Sequence, residues 1–149
     1  MKSRYGLEIR AVTSAEAPGL AELLSAAGQK IPPRLLAERI DAMRQEPGAA
    51  LVALEWGPPS GLVVLHWYRT LGADYRTAQI TTLLVGPDNR RRGIGRLLIK
   101  AAAQAARSAG CDALEVVAAP GDHGLQRFCE ATGFDPSGAC FIRPLRKKT

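Results

Sequence analysis

Apolar and polar positions switch between a period of two and a period of three to four along the chain, and each switch marks an element. Leu7 to Val12 alternates and predicts a first strand. Thr13 or Ser14 is placed to cap a helix running to about Ala27, with Leu20, Leu23 and Leu24 inside and Gly28 as its stop. After Ile31-Pro32-Pro33, the stripe Leu35, Leu36, Ile40 and Met43 predicts a second helix ending at Pro47-Gly48. Strands are expected near Ala49–Trp56 and Gly61–Tyr68, joined through Gly57-Pro58-Pro59-Ser60. Leu71 to Arg76 is a polar loop, and the β-branched run Ile80 to Val85 is the next strand, closed by Gly86-Pro87. From Gly93, Ile94, Leu97, Leu98, Ala101 and Ala105 share one face, with Arg96, Lys100, Gln104 and Arg107 opposite. Gly110 is the expected left-handed stop. Then come a strand at Ala113–Ala118, a helix at Leu125–Ala131, a short strand near Phe134 and a last strand at Ala139–Leu145.

Bulk properties narrow the setting. At 149 residues the expectation is a single domain, residues 1–149, with a real core. No apolar run approaches the roughly 20 residues that span a bilayer, so no membrane partner is expected. Met1 to Gly6 is not followed by an apolar core and a cleavage site, which makes a cytoplasmic location the default. Cys111, Cys129 and Cys140 are odd in number and form no Cys-x-x-Cys pair, so neither a disulfide framework nor a metal site is expected. The net charge of +6 favours polyanions. It is split between the turn before Gly93 and the tail from Arg143 to Lys148, and no aromatic–basic docking stretch accompanies it. A basic nucleic-acid-binding domain is therefore the weakest reading, and no nucleic acid is expected as partner.

The candidate chemistry sits between Ala78 and Gly110. Gly93 and Gly95 let a ligand approach the backbone. First-turn N–H groups lack intrahelical acceptors and lie at the positive end of the helix dipole. Arg90, Arg91 and Arg92 add fixed charge, and Asp88 or Asn89 is available as a cap. This set suits a pyrophosphate. It is not a P-loop, because Arg96-Leu97 follows Gly95 where Lys-Ser or Lys-Thr is needed. It is not a dinucleotide fingerprint either, because Pro87 to Arg92 separate the strand from the glycines.

Arg90-x-x-Gly93-x-Gly95, after a strand ending in Leu84-Val85 and before a Leu-Leu helix, resembles the acyl-CoA signature of the GNAT superfamily of N-acetyltransferases. The run Leu125-Gln126-Arg127-Phe128-Cys129-Glu130-Ala131-Thr132-Gly133-Phe134 is similar to that family's segment ending in Gly-Phe. The resemblance implies an α/β fold: a mixed, mostly antiparallel central sheet of six to seven strands, flanked by helices, whose fourth and fifth strands (Ala78–Val85 and Ala113–Ala118) splay apart around acyl-CoA. It implies acetyl transfer from acetyl-CoA, with no metal, to a small-molecule or peptide amine, and often a homodimer. Main-chain groups of Leu83 and Val85 would hold the pantetheine arm, and Arg90, Arg91, Arg92, Gly93, Ile94, Gly95 and Arg96 the pyrophosphate.

Catalytic positions depart from the pattern. Where many members carry a glutamate, the central strand offers Gln79, Thr81 and Thr82. The usual tyrosine acid is Cys129, and the usual asparagine is Asp122. A thiol at Cys129 suits protonation of the departing thiol, while a small buried apolar side chain is the commoner fate of a lone cysteine. Glu55, His66, Glu115 and His123 are the candidate bases, with water as a carrier. Trp56, Trp67 and Tyr68 belong either to the core or to the acceptor cleft. The loop Gly28 to Pro33 carries only Lys30 as a charged group and no acidic cluster, which gives little support for a polycationic acceptor. The missing glutamate and tyrosine keep open an acyl-CoA-binding module with weak turnover.

Overall fold

Between residues 8 and 116 the alternating stretches become one five-stranded sheet, and the three-to-four stretches become helices on its faces. The structure is a computed structural model that describes residues 6–87, 93–119 and 121–146. The chain divides into two compact units, residues 1–116 and 117–149.

The first unit holds β1 (Glu8–Ala11), α1 (Ala17–Ala26), α2 (Pro33–Met43), β2 (Gly48–Leu54), β3 (Gly61–Tyr68), β4 (Arg76–Val85), α3 (Ile94–Ser108) and β5 (Cys111–Val116). The strands lie in sequence order. Pairing is antiparallel through β4, and β4–β5 is parallel because α3 carries the chain back across the sheet. The expected cap is Thr13, which opens a short 3-10 turn before α1.

Two apolar layers cover the sheet. Leu20 and Leu24 of α1 and Leu36 and Ile40 of α2 pack with Val52, Leu62 and Val64. On the other face α3 packs against β2, β3, β4 and β5. Its buried residues are Ile94, Leu98, Ile99, Ala102 and Ala106, so the buried stripe runs one residue past the expected Ala101 and Ala105. Apolar side chains surround most of this helix, and only the exposed Arg96, Lys100, Gln104 and Arg107 fix which side is outside. Gly110 stops the helix with φ +84°, as expected.

The second unit holds α4 (His123–Ala131). The sheet has five strands among the described residues, not six to seven. Neither the strand expected at Ala139–Leu145 nor the one near Phe134 forms. Pro136, Gly138 and Pro144 interrupt that stretch, and Pro144 has no N–H for a ladder. Phe141, Ile142 and Leu145 stay exposed there, so burial does not reward an extended pairing. Two further expectations are overturned. Leu35 lies on the exposed side of α2, and Trp56, at 89% exposure, belongs to the turn after β2 and not to the core.

Candidate functional site

The site is organised by the point where β4 loses β5. Their pairing ends at Ile80↔Val116, and β4 runs on from Thr81 to Val85 with no strand on that side among the described residues. Against β3 the register slips at the same place, from Val64↔Thr82 to Leu65↔Ile80, which makes Thr81 a bulge residue.

The bulge reverses which main-chain groups face outward. Trp67 N–H donates to Pro47 O at 3.3 Å, so odd positions of β3 bond towards β2 and even ones towards β4. Gly86 N–H donates to Ser60 O at 2.9 Å. By alternation Leu84 and Thr82 also bond towards β3, and the N–H and C=O groups of Leu83 and Val85 face the open side. Before the bulge the even positions face β5: Arg76 N–H donates to Gly110 O at 3.2 Å. A cleft of about 160 Å³ lies beside this edge, between Leu83, Leu84 and Val85 and the end of α1 at Leu23, Ala26 and Ala27.

The start of α3 is held over the same end of β4. Gly61 pairs with Val85, and a Cβ on it would lie 2.8 Å from Leu98 Cδ1 and 3.1 Å from Ile94 Cγ2. The absence of a side chain there lets α3 approach the sheet. Gly93 is the N-cap of α3, with φ +78°, a left-handed conformation that favours glycine. Leu97 N–H donates to Gly93 O at 3.1 Å, so Ile94 and Gly95 precede the first helical bond. No acidic residue stands in the first turn. Arg96 is exposed on the outer face. Arg90, Arg91 and Arg92, with the expected caps Asp88 and Asn89, lie outside the described residues.

On the α1–α2 face a cavity of about 350 Å³ reaches Thr82, next to the bulge. Its wall is mainly apolar, from Leu20, Leu24, Leu36, Ile40, Leu62 and Val64. Its polar lining comes from Gln29, Arg39, Arg44, His66 and Thr82. Sequence reading had not singled out Arg39 or Arg44, although both flank the Leu36–Ile40–Met43 stripe at helical spacing.

His66, Gln79 and Glu115 form one row across β3, β4 and β5, one pair below the point where the strands part. Glu115 Oε1 accepts from Tyr68 Oη at 2.8 Å and from Gln79 Nε2 at 3.4 Å. The bond to Glu115 raises the Tyr68 pKa, with burial and the Glu115 charge adding to it. Tyr68 is thus neither core nor free. Alternation placed these side chains on one face of their strands, but the register that joins them was not visible in the sequence.

Within the second unit Asp122 accepts from Leu125 N–H at 3.1 Å and caps α4, which occupies the carboxylate in the asparagine position. His123 is the first residue of α4. Cys129 lies in its last turn, and its carbonyl accepts from Phe134 N–H at 2.9 Å. Burial raises the Cys129 pKa, and the Asp122 and Glu130 charges raise it further.

Solved structures share this architecture. An acetyltransferase of Trypanosoma brucei superposes with a TM-score of 0.80 at 22% identity, over 93% of this chain and 99% of its own. The aminoglycoside N-acetyltransferase AAC(6')-Iy in complex with CoA gives 0.81 at 19% identity, over 95% of both chains. An aminoglycoside acetyltransferase from an uncultured soil metagenomic sample, in complex with sisomicin, gives 0.78 at 21%, over 95% of this chain and 97% of its own. At these identities the likeness is one of fold. No curated protein matches the sequence. Residues 18–134 match the model of the acetyltransferase (GNAT) family, so the chain belongs to this family of enzymes.

Proposed function

We propose that the chain moves an acetyl group from acetyl-CoA to an amine by direct attack within a ternary complex, as one catalytic domain spanning residues 1–149. The observation that carries this reading is the wedge: Leu83 and Val85 turn their main chain to the open side of β4, and that edge ends under the start of α3. An extended pantetheine arm carries amide groups and fits such an edge as a neighbouring strand does. The amides of Gly93, Ile94 and Gly95, the helix dipole and the guanidinium groups of Arg90, Arg91, Arg92 and Arg96 suit its pyrophosphate. CoA in the AAC(6')-Iy complex supports this choice of cosubstrate by analogy of fold.

The chemistry needs a deprotonated amine, support for the carbonyl oxygen and a proton for the departing sulfur. The amine nitrogen bonds to the acetyl carbon as the C–S bond breaks. The cavity that reaches Thr82 is the acceptor's place, and His66 on its wall is the proton acceptor, directly or through water. Main-chain N–H at the Thr81 bulge is the donor to the carbonyl oxygen. Cys129 gives its proton to the thiolate; its raised pKa keeps it a thiol at neutral pH. Pre-formed donors at a bulge cost no rearrangement during reaction, which is why strand irregularity is useful there.

Calorimetric titration with acetyl-CoA and CoA tests the first half, and thiol release across an amine panel tests the second. Saturable binding and amine-dependent thiol release are expected. No binding at about millimolar cofactor, the upper end of the usual range of KM values, ends the reading. Binding without release from any amine leaves the acyl-CoA-binding module.

A further inference from the structure

We propose that the acceptor is a small apolar amine carrying one carboxylate, and that Arg39 and Arg44 recognise that carboxylate at the cavity mouth. This rests on the acetyl-transfer reading above and adds the class of acceptor to it.

Three observations carry it. The cavity that reaches Thr82 has an apolar wall, which gains from an apolar acceptor body. Its volume of about 350 Å³ is near the lower end for ligand pockets, small for a molecule of several sugar rings. Its charged wall is all of one sign. Arg39 and Arg44 line it, and no Asp or Glu does. On α2 the acidic Glu38 and Asp41 fall on the side away from the Leu36–Ile40 stripe, while the two arginines flank that stripe. Arg10 pairs with Glu16, but Arg39 and Arg44 make no ion pair with a described residue. Exposed guanidinium groups at the rim keep their donors for a ligand, and their planar fork matches a carboxylate. A polycationic amine would meet repulsion from the same two groups, with no carboxylate in the wall to offset it. An occupant that reaches both Thr82 and the arginines presents its amine at one end and its anion at the other.

The test uses the full chain, acetyl-CoA and thiol release, with L-leucine and L-phenylalanine, their amides, isoamylamine and sisomicin as acceptors. The amino acids should exceed their amides in kcat/KM by about tenfold or more, the usual scale for a charge-assisted hydrogen bond. Arg39→Gln with Arg44→Gln should remove that preference, chiefly by raising KM for the amino acids. A thermal melt of the double variant within the wild-type range shows that it folds. The proposal is overturned if sisomicin is turned over as well as the amino acids, or if the preference survives in the double variant. Either result leaves acetyl transfer intact. Failure of acetyl-CoA to bind, or of every amine to release thiol, overturns both readings together.

Discussion

Glu16 shows how much one side chain can join. Its Oε1 accepts Thr13 N–H at 2.9 Å, and Arg10 reaches both carboxylate oxygens, at 3.2 and 3.3 Å. Thr13 Oγ1 accepts Ala15 N–H in return, so β1, the capping turn and α1 are tied at one wall of the cavity. Burial pushes the carboxyl pKa up, but the Thr13 and Arg10 contacts outweigh it and the net shift is down. A depressed folded pKa means that this stability is present above the ordinary carboxylate range and is lost as pH falls through the folded value. Glu16→Ala should cost about 1 kcal/mol in urea unfolding at neutral pH. Glu16→Gln, which keeps an acceptor for Thr13, should cost less. Both gaps should close in acid, and a gap that widened there would contradict the assignment. Cys129 offers the opposite sign. Its raised pKa keeps the proton available until alkaline pH, so acid-assisted turnover should fall on that limb. Cys129→Ala should lower kcat by about a hundredfold, the lower end for general acid catalysis. The alkaline limb should also disappear, and unchanged turnover across pH would remove Cys129 from the chemistry.

At the level of elements, Gly61 and Leu98 set where α3 stands. Gly61→Ala places a methyl within 2.8 Å of Leu98 Cδ1, and overpacking of this kind costs about 1–3 kcal/mol. Leu98 is fully buried, so Leu98→Ala should cost about 2–5 kcal/mol. The double variant should cost clearly less than the sum, because the second change vacates the space the first demands. Denaturant midpoints of the four proteins measure this coupling, and strict additivity would mean that the two do not share that contact. The same pair explains what could be read in advance. Ile94, Gly95 and the polar face of α3 were legible, because charged residues every few positions mark solvent. The inner stripe was legible at Ile94 and Leu98 but not beyond, because Leu97, Ile99 and the alanines leave its phase to the sheet below. Thr81 was read as an ordinary strand residue. A bulge shows only in the register of two strands, and here it decides that Leu83 and Val85 face outward. Likewise Phe141, Ile142 and Leu145 look like a strand by composition, but Pro144 and the lack of cover leave the segment irregular.

For the whole molecule, the question is what the net charge of +6 is for. Among the described residues no helix is long and apolar enough to cross a membrane. Charge alone attracts any polyanion, and that attraction fades as salt rises because released counterions lose their advantage. A shaped site adds main-chain hydrogen bonds and apolar contact, which salt weakens far less. The two cases separate in a melting experiment. A ligand that binds only the folded chain at a hundred times its Kd adds about 2.7 kcal/mol. For a chain of this length each kcal/mol raises Tm by about 2–4 °C, so acetyl-CoA should raise it by about 8 °C. That shift should persist at about 0.3 M salt, whereas any shift from a homopolymeric RNA should vanish there. Gly95→Asp sharpens the reading. An acidic residue in the first turn favours the helix dipole, so the unliganded Tm should hold or rise slightly. The acetyl-CoA shift should nevertheless collapse, because the new charge faces the pyrophosphate. A full shift in Gly95→Asp would move the phosphate site away from α3 and leave the wedge in β4 without its anchor.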